Sequence, residues 1–416
     1  MRILITTFGT HGDIQPYIAL GKGLVGAGYE VALGTSQGYR SLVEEHHLLY
    51  AYLDTDLLEL TQNVLGESSG TGSTLGSLSQ MFPAIRKMMD NEWQAARDFQ
   101  PDLMIYHPKC LGSLHVAEKL DIPTVLSLPL PFYTQTEAFP VPFMSNIRLG
   151  RWFNRFSYQL VALPSVMYGG MINDFREKTL GLPRLGRFPN LLVRSGGSPV
   201  PVLYPYSPSL LPVPKDFPPH VYVTGYWFLD RSHEWQPAPE LVHFLEGEPP
   251  VYIGFGSMGG KGAQKRARIA LDALEKSGQR GLLARGWGGL NPSELPGSVF
   301  MLDTVPHDWL FPQVAAVVHH GGAGTTASGL RAGRPSVICP FMADQPFWGE
   351  LVYQRGAGPK PIPQNRLTAK RLAAAITEAV NNETVKRQAA ELGEKIRAED
   401  GVSCAVEVIG SIIRQS

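Results

Sequence analysis

The sequence has few cysteines and no excess of charge of either sign. Cys110, Cys339 and Cys404 are the only cysteines among 416 residues, they lie far apart, and they form no Cys-x-x-Cys motif. This pattern indicates neither a disulfide framework nor a structural zinc site, and it is typical of a reducing compartment. Lys plus Arg and Asp plus Glu each number 37, so no net field attracts nucleic acid over long range. We therefore expect a cytoplasmic protein with no nucleic-acid partner.

Long apolar runs are also missing. No run reaches the ~18 residues that a membrane-spanning helix needs, and the longest candidate, residues 160–171, is interrupted by Pro164. The first residues do not have the pattern of a signal peptide, because a short strand-like run is followed at once by His11 and Asp13. We expect neither a transmembrane helix nor secretion.

The sequence does contain the alternation of strands and helices that builds parallel sheets. Residues 2–8 predict a buried strand, which a glycine turn connects to a helix over 14–25. The same order of strand, glycine turn and helix returns at residues 251–276. Since 416 residues exceed what one hydrophobic core accommodates, we predict two doubly wound α/β domains.

Proline marks the join between these domains. Twelve of the 34 prolines lie between Pro199 and Pro250, and proline disfavours both helices and central strands. We predict a first domain over residues 1–224, a linker over 225–239 and a second domain over 240–401. A closing helix over 402–416 could pack back onto the first domain.

The most informative motif is His-His-Gly-Gly-Ala-Gly-Thr-Thr at residues 319–326, between a predicted strand and a predicted helix. Glycines in that position expose backbone N–H groups at the positive end of a helix, where phosphate binds. The alternative is a simple glycine turn with helix-capping threonines. A zinc site from His307, His319 and His320 is a third interpretation, but no carboxylate or thiolate completes a ligand set at a known spacing.

The second half of the chain contains five short motifs in about 40 residues: Val305-Pro306-His307, the block at 319–326, Gly333-Arg334-Pro335, Pro340-Phe341 and Asp344-Gln345. Together they resemble the donor-binding signature of nucleotide-sugar glycosyltransferases with the GT-B fold, of the family 1 type. Within that family the chain is most similar to sterol 3-beta-glucosyltransferases, through Gly9-Thr10-His11-Gly12-Asp13, Pro129-Leu130-Pro131-Phe132 and the segments 206–210 and 344–349. The resemblance implies two Rossmann-like domains facing a cleft, with the acceptor bound by the first and the sugar donor by the second.

The resemblance also implies which residues bind the donor. The diphosphate would contact His320, the backbone of Gly322, Gly324 and Thr325, the Thr325 hydroxyl, and Ser257 from the other glycine turn. Val305 and His307 would frame the base. Asp344 and Gln345 would hydrogen-bond the hexose hydroxyls, although such a pair before Pro346 is also a helix N-cap pattern. Plant members hold the ribose with a Glu where this chain has Ser328, so uridine rather than thymidine is implied by the family alone.

The candidate base follows the first strand. Asp13 takes the place of the catalytic histidine of plant relatives, and a carboxylate there can accept the proton of the attacking hydroxyl. Its alternative role is to cap a helix that starts at Ile14. His11 is the rival base, or it orients Asp13 or the diphosphate. The usual second carboxylate of the family is missing, because the later strand is followed by His107, Pro108 and Lys109.

Aromatic and methionine side chains in the first half predict an acceptor site for a large apolar molecule. The candidates are Met81, Phe132, Tyr133, Phe139, Phe143 and Trp152. Packing in a hydrophobic core is the alternative for each of them. Residues 148–158 add Arg148, Arg151 and Arg155 beside aromatics, a composition that suits either peripheral contact with a lipid surface or a solvated helix.

These observations predict an inverting hexosyltransferase that glucosylates a sterol-like polycyclic alcohol, with UDP-glucose as co-substrate. We expect no cofactor and no metal, since His320 and helix dipoles can offset the diphosphate charge. A polyketide, macrolide or flavonoid-like acceptor, with a dTDP-sugar as donor, is the main alternative. An epimerase of the same fold would need no acceptor pocket, and a non-enzymatic helper protein would not need Asp13, His320, Asp344 and Gln345 together.

Overall fold

The computed structural model describes residues 1–54, 74–145, 147, 149–186, 192–194, 197–233, 235–255, 262–284 and 295–415, without the side chains of 74–80 and 162–166. The chain forms two compact units. The first comprises Met1–Pro208, Val213–Leu229 and Asp400–Ser416, and the second comprises Ser209–Pro212 and Asp230–Glu399. The chain therefore returns to the first unit at its end.

Strands and helices alternate along both units. The strands are β1 (Arg2–Thr6), β2 (Glu30–Ser36), β3 (Leu49–Asp54), β4 (Leu103–Tyr106), β5 (Thr124–Ser127), β6 (Val202–Tyr204), β7 (Val221–Val223), β8 (Val251–Gly254), β9 (Gly281–Ala284), β10 (Val299–Leu302), β11 (Ala316–His319) and β12 (Ser336–Ile338). The helices are α1 (His11–Gly26), α2 (Arg40–Glu45), α3 (Thr74–Phe99), α4 (Ser113–Leu120), α5 (Arg151–Ser157), α6 (Leu163–Phe175), α7 (Pro239–Leu245), α8 (Ala263–Ser277), α9 (His307–Leu310), α10 (Ala323–Arg331), α11 (Gln345–Gln354), α12 (Ala369–Asn381), α13 (Glu383–Arg397) and α14 (Gly401–Gln415).

Each unit contains one parallel sheet. The first sheet has the order β3-β2-β1-β4-β5-β6-β7 and the second has the order β10-β9-β8-β11-β12. Both orders reverse direction beside their first strand, between β1 and β4 and between β8 and β11. Ligands of open α/β sheets bind outside the carboxyl ends of the strands at such a reversal. The topology thus places the candidate motifs after β1 and β11 where ligand binding is expected.

Helices cover both faces of each sheet. Successive side chains of a strand point to opposite faces, so each strand contributes to a core on either side of its sheet. In β1, Ile3 and Ile5 pack into a core that includes residues of α1 and α14, and Leu4 packs into the opposite core with residues of α3. In β8, Ile253 packs against α8 and α12, whereas Tyr252 packs with residues on the other face. The doubly wound α/β architecture predicted for both halves is confirmed.

The proline-rich segment contains short strands and tight packing. It includes β6 and β7, which have three residues each and lie at one edge of the first sheet. Within the predicted linker, residues 225–229 belong to the first unit and 230–239 to the second. Trp227 is buried, and its indole Nε1–H donates to the Thr224 hydroxyl and to the Gly401 carbonyl, at 3.0 and 3.1 Å. Helix α14 is part of the first unit, and its Ile409 lies in the same core as Trp227.

Candidate active site

The loop after β1 is held by a capping box at the start of α1. The helix begins at His11 with Thr10 as its N-cap, and the Thr10 backbone N–H donates to Asp13 Oδ2 at 2.9 Å. Asp13 is therefore the third residue of the helix, which corrects the expectation that it caps a helix starting at Ile14. Because the capping box closes the first helical turn, the position of the Asp13 carboxylate is fixed by backbone geometry.

Lys109, in the loop after β4, pairs with the same carboxylate. Its Nζ lies 2.7 Å from Asp13 Oδ1, and the side chains of Lys109 and Asp13 are 46% and 22% exposed. Gly9 allows this arrangement, because its φ is +142° and a Cβ there would lie 2.1 Å from Asp13 Oδ2 and 2.9 Å from Lys109 Nζ. The sequence marks Lys109 only as a departure from the family pattern and does not identify it as the partner of Asp13.

Electrostatics keep this carboxylate ionised. Burial raises the pKa of Asp13, but the charge of Lys109, together with His107 and hydrogen bonds from Lys109 and Thr10, brings the pKa below its usual value. Burial, reinforced by Lys109, lowers the pKa of His107 to about 3, so this imidazole is neutral. Its Nδ1 accepts a hydrogen bond from the Lys109 backbone N–H at 3.1 Å. His11 is exposed and its ring packs edge-on against Tyr39, with 5.0 Å between the ring centroids.

A buried chain of polar groups connects β1, α3 and α4 next to this loop. The Thr6 and Ser113 hydroxyl oxygens lie 2.7 Å apart, and the Ser113 hydroxyl donates to Glu92 Oε2 at 2.6 Å. Glu92 is fully buried, and burial raises its pKa to about 7 against the opposing hydrogen bonds from Ser113 and the Gly112 backbone. A titratable group thus lies beneath the loop that carries Lys109, a feature that the sequence does not suggest.

Several of the predicted acceptor residues lie together after β5. The Phe132 ring is 5.3 Å from the Tyr133 ring and 5.7 Å from the Phe143 ring, centroid to centroid. Thr134 connects this segment to β6, because its backbone N–H and its hydroxyl both lie within 3.0 Å of the Tyr204 hydroxyl. We call residues 132–143 the aromatic wall.

Asp216 holds the middle of the aromatic wall. It accepts hydrogen bonds from the Thr136 hydroxyl at 2.6 Å and from the Glu137 backbone N–H at 2.8 Å. The wall is therefore held at successive points, although it contains no helix longer than a single 3-10 turn at Pro142–Met144. Phe139 lies within the same segment and is half-buried.

Met81 and Trp152 lie in different surroundings from the aromatic wall. Met81 is in α3 and packs beside a core that contains Met88 and Met89. Trp152 is 75% exposed on α5 and stacks on Phe156, with 5.2 Å between centroids and an interplanar angle of 5°. Core packing accounts for Met81, whereas no core contact accounts for Trp152 among the residues that the structure describes.

The predicted phosphate site follows β11. Gly322 is the N-cap of α10, which carries no side-chain cap, and Thr325 is half-buried in the first turn. Gly321 has φ +92°, and a Cβ on Gly322 would lie 2.6 Å from His320 Nε2. Burial lowers the pKa of His320, so without an anion its imidazole is neutral. Gly324 is exposed in the same turn, where the helix dipole favours negative charge.

The residues predicted to frame the base lie at the start of α9, where Val305 precedes the helix and His307 is its first residue. The His307 ring stacks on Phe311, with 4.2 Å between centroids and an interplanar angle of 16°. Burial lowers the pKa of His307 to about 4, so the ring is an uncharged planar surface. Val305 is half-buried and packs beside the core that contains Phe311.

The predicted sugar-binding pair begins α11. Asp344 occupies the N-cap position without capping the helix through its side chain, and its Oδ2 accepts from Trp348 Nε1 at 2.9 Å. Gln345 Oε1 accepts from the Phe341 backbone N–H at 2.7 Å, so its amide nitrogen is the part of the side chain left to donate. Ala343, just before this pair, has φ +58°, a strained conformation of the kind found at binding sites.

Ser257 lies outside the described residues, so its predicted role stays a prediction. Among the described residues no group of three or more His, Cys, Asp or Glu side chains could hold a metal ion. The sequence contains one Asp-x-Asp motif that could be considered for metal binding, at Asp54-Thr55-Asp56. Its Asp54 is buried at the end of β3. No helix in the described part of the chain is both long and apolar enough to cross a bilayer.

Comparison with protein families and relatives gives matches over both units. Residues 3–139 match the glycosyltransferase family 28 N-terminal domain, and residues 289–414 match the erythromycin biosynthesis protein CIII-like C-terminal domain. A sterol 3-beta-glucosyltransferase of Arabidopsis thaliana is 37% identical over 419 residues, covering 98% of this chain and 67% of the relative. One from Emericella nidulans is 36% identical, covering 98% of this chain and 30% of the relative. The chain thus spans about two thirds of the plant relative and less than a third of the fungal one.

Solved structures with the same fold include the glycotransferase of kitacinnamycin, with a TM-score of 0.71 at 19% identity over 99% of this chain and 98% of that one. Another is the glycosyltransferase VinC in complex with DTDP, with a TM-score of 0.65 at 18% identity over the whole of both chains. At such identity these structures establish the GT-B fold. Together with the family matches and the identity to the plant enzyme, they show that the chain belongs to the nucleotide-sugar glycosyltransferases of the sterol 3-beta-glucosyltransferase family.

Proposed function

We propose that the protein is an inverting glycosyltransferase that transfers glucose from UDP-glucose to a hydroxyl group of a sterol-like polycyclic alcohol. The observation that carries this proposal is the ionised Asp13 carboxylate at the carboxyl end of the first sheet, where an open α/β sheet binds its ligand. The identity to sterol 3-beta-glucosyltransferases supports the sugar and the acceptor class.

In the proposed reaction Asp13 accepts the proton of the acceptor hydroxyl while the oxygen attacks the anomeric carbon of the donor. The new C–O bond forms on the face opposite the leaving diphosphate, so the bond from the anomeric carbon to the phosphate oxygen breaks with inversion. General-base assistance of this kind contributes ~10²–10⁴-fold to the rate. The diphosphate leaves as an anion, which the α10 N-terminus and the His320 imidazole would stabilise.

The aromatic wall supports an apolar acceptor. The wall follows β5, which pairs in parallel with β4, and β4 pairs in parallel with β1. The wall therefore starts from the same carboxyl edge of the sheet as the loops of Asp13 and Lys109. Flat aromatic faces select mainly by apolar area, which discriminates only ~10–200-fold between similar ligands. We therefore propose that several polycyclic alcohols are accepted and that small polar sugars are rejected.

The choice of donor nucleotide has two alternatives. The neutral His307–Phe311 stack offers a flat surface for any pyrimidine, and Ser328 replaces the ribose-binding Glu of plant relatives. A dTDP-sugar, with a polyketide, macrolide or flavonoid-like acceptor, therefore stays the alternative to UDP-glucose and a sterol. Catalysis without a metal is part of the proposal and can be tested with a chelator.

A matrix of donors and acceptors tests the function directly. UDP-glucose and dTDP-glucose are each incubated with cholesterol, a flavonol, a macrolide aglycone or glucose, with and without EDTA, and nucleoside diphosphate release is measured. We expect release that depends on UDP-glucose and the sterol, that EDTA does not change, and that the Asp13→Asn variant lacks. Release with no acceptor dependence, or preference for glucose over every polycyclic alcohol, would contradict the proposal.

We also propose that α5 and the residues before it contact a lipid surface. Trp152 and Phe156 stack on the exposed side of α5, and Leu149 is 69% exposed just before it. Arg151 and Arg155 have 82% and 66% exposed side chains, and both are close to Glu137. Exposed aromatics beside arginines suit the interface of an anionic membrane.

A further inference from the structure

The ion pair between Lys109 and Asp13 has a role that follows from burial. We propose that Lys109 is a positioning residue that keeps the Asp13 carboxylate ionised and oriented while an apolar acceptor covers it. This inference rests on the proposed function, in which Asp13 is the base.

The contacts around Asp13 fix both of its carboxylate oxygens. Oδ2 accepts from the Thr10 backbone N–H at 2.9 Å and from the Thr10 hydroxyl at 3.3 Å, so this oxygen faces the helix start. Oδ1 carries the contact with Lys109 Nζ at 2.7 Å. A carboxylate oxygen has two lone pairs, so Oδ1 can accept a hydrogen bond from the hydroxyl of the bound alcohol while it keeps its contact with Lys109.

Four other titratable groups that interact electrostatically with Asp13 carry no positive charge at neutral pH. His107, after the same strand as Lys109, is neutral because burial lowers its pKa. The Cys110 thiol in that loop and the Tyr17 hydroxyl on α1 stay protonated, because burial raises their pKa values. Burial also raises the pKa of Tyr39, which follows β2, so its hydroxyl is neutral. The His11 and Tyr39 rings contact each other in an edge-to-face arrangement.

The charge of Lys109 matters most when the acceptor is bound. An apolar acceptor excludes water, and loss of water raises the pKa of a carboxylate by disfavouring its charged form. Without a nearby cation, Asp13 would then bind a proton from solvent and could no longer accept one from the acceptor hydroxyl. Lys109 opposes this shift, because its Nζ lies 2.7 Å from Asp13 Oδ1. The proton of the hydroxyl goes to Asp13 alone.

The pH profile of kcat/KM for the sterol tests the inference. An adjacent opposite charge lowers the pKa of an acid by ~1–3 units. Lys109→Met should therefore shift the acidic limb of the profile to higher pH by about that amount. Lys109→Arg keeps the charge and should leave the limb within a few tenths of a unit. Lys178→Met is the matched control, because Lys178 is an exposed lysine that pairs with Asp174 at 3.1 Å in the same unit. It should not change the profile.

A second measurement separates this inference from the proposed function. The Asp13 carboxyl is titrated by carbon NMR in the wild-type protein and in Lys109→Met, with Asp13→Asn used to assign the signal. If Asp13→Asn is inactive but neither the limb nor the NMR titration moves in Lys109→Met, the inference about Lys109 is wrong and the base assignment stands. If Asp13→Asn keeps near-native turnover, the base assignment is wrong, and with it the catalytic role proposed for Lys109, whatever the NMR titration shows of the ion pair.

Discussion

Glu92 brings an unusual cost into the first unit, because a carboxyl group is buried there beside hydroxyl groups. Its Oε1 has no hydrogen-bond partner among the described residues, and Oε2 accepts from Ser113. The carboxyl group is therefore most stable in its protonated form. In the unfolded chain it ionises with the ordinary glutamate pKa of 4.5, whereas burial raises that pKa to about 7 in the folded protein.

From this difference we predict a loss of stability as the pH rises. Between pH 4.5 and 7 the folded protein binds a proton at Glu92 that the unfolded chain has released, so the free energy of unfolding falls through that window. At ~1.4 kcal/mol per pKa unit the loss reaches up to ~3 kcal/mol. Urea unfolding of wild type and Glu92→Gln at pH 5 and pH 8 checks this, with the exposed Glu44→Gln as control. Equal pH dependence in wild type and Glu92→Gln would contradict the prediction.

Donor binding can be divided between two residues of the second unit. We predict that His320→Ala weakens binding of UDP itself by about tenfold or more, since the imidazole lies at the predicted phosphate site and one hydrogen bond to a charged group is worth ~1.5–3 kcal/mol. Asp344→Asn should leave UDP affinity unchanged and weaken only UDP-glucose, because Asn keeps an oxygen for Trp348 Nε1 but loses the charge. Calorimetric titration with both ligands measures this. The same loss of UDP affinity in both variants would show that the division is incorrect.

Elements with regular periodicity can be predicted from the sequence, and irregular elements cannot. The strand at Arg2–Thr6 lies within the predicted residues 2–8. The strand at Val251–Gly254 and the helix at Ala263–Ser277 lie where residues 251–276 predict them, to within a residue. The short strands β6 and β7 cannot be predicted, because frequent prolines hide three-residue strands and the β5 partner of β6 is distant in sequence. The long helix α3 cannot be predicted either, since Pro83 interrupts the helical pattern although Met88 and Met89 are core residues.

The same limit applies to the candidate site. Residues 319–326 and Asp13 carry local signals, because a glycine turn after a strand and a capping residue are visible in the sequence itself. The partnership of Asp13 with Lys109 joins residues that are 96 positions apart, and only the pairing of β1 with β4 brings them together. A search for charged residues after every strand that neighbours β1 would have found it.

The aromatic wall gives a prediction about acceptor affinity. Replacing both Phe132 and Tyr133 with Ala removes a flat apolar surface worth ~2 kcal/mol at ~25 cal/mol per Å². We expect the KM for the sterol to rise about tenfold or more while the KM for the donor stays unchanged. Steady-state kinetics with each substrate varied in turn provide the measurement. The wall has no such role if the double variant keeps the wild-type KM for the sterol.

Helix α5 gives a prediction about membranes. Trp152→Ala combined with Phe156→Ala should reduce co-sedimentation with vesicles of phosphatidylcholine and phosphatidylserine by about tenfold, because two exposed rings leave the interface. Tyr353→Ala, which removes an exposed ring of the second unit, should bind vesicles like the wild type. Equal vesicle binding by the double variant and the wild type would rule out this surface.

At the scale of the whole molecule, the packing of the last helix, α14, explains how the second unit is inserted in the first. Trp227 donates to the Gly401 carbonyl, and a Cβ on Gly401 would lie 2.4 Å from the Tyr226 carbonyl oxygen. The main exit of the chain from the first unit, after Leu229, and its return at Asp400 are therefore neighbours within that unit. Only the compact packing of Trp227 and α14 reveals this, since proline content alone marks the first of the two crossings.

This arrangement makes the second unit an insertion in the first, and an inserted unit whose ends are adjacent can be replaced as a whole; we call residues 230–399 the cassette. We predict that a chimera in which the cassette is replaced by the corresponding segment of a dTDP-sugar-dependent relative folds. It should take its donor preference from the relative and keep its own acceptor preference. The replacement should also include residues 209–212, because Arg355 Nε donates to the Leu210 carbonyl at 2.8 Å and Ser209 donates to Glu399 at the same distance. Thermal unfolding and kinetics with both donors measure the outcome, and a chimera that folds but still prefers UDP-glucose would mean that nucleotide choice is encoded outside the cassette.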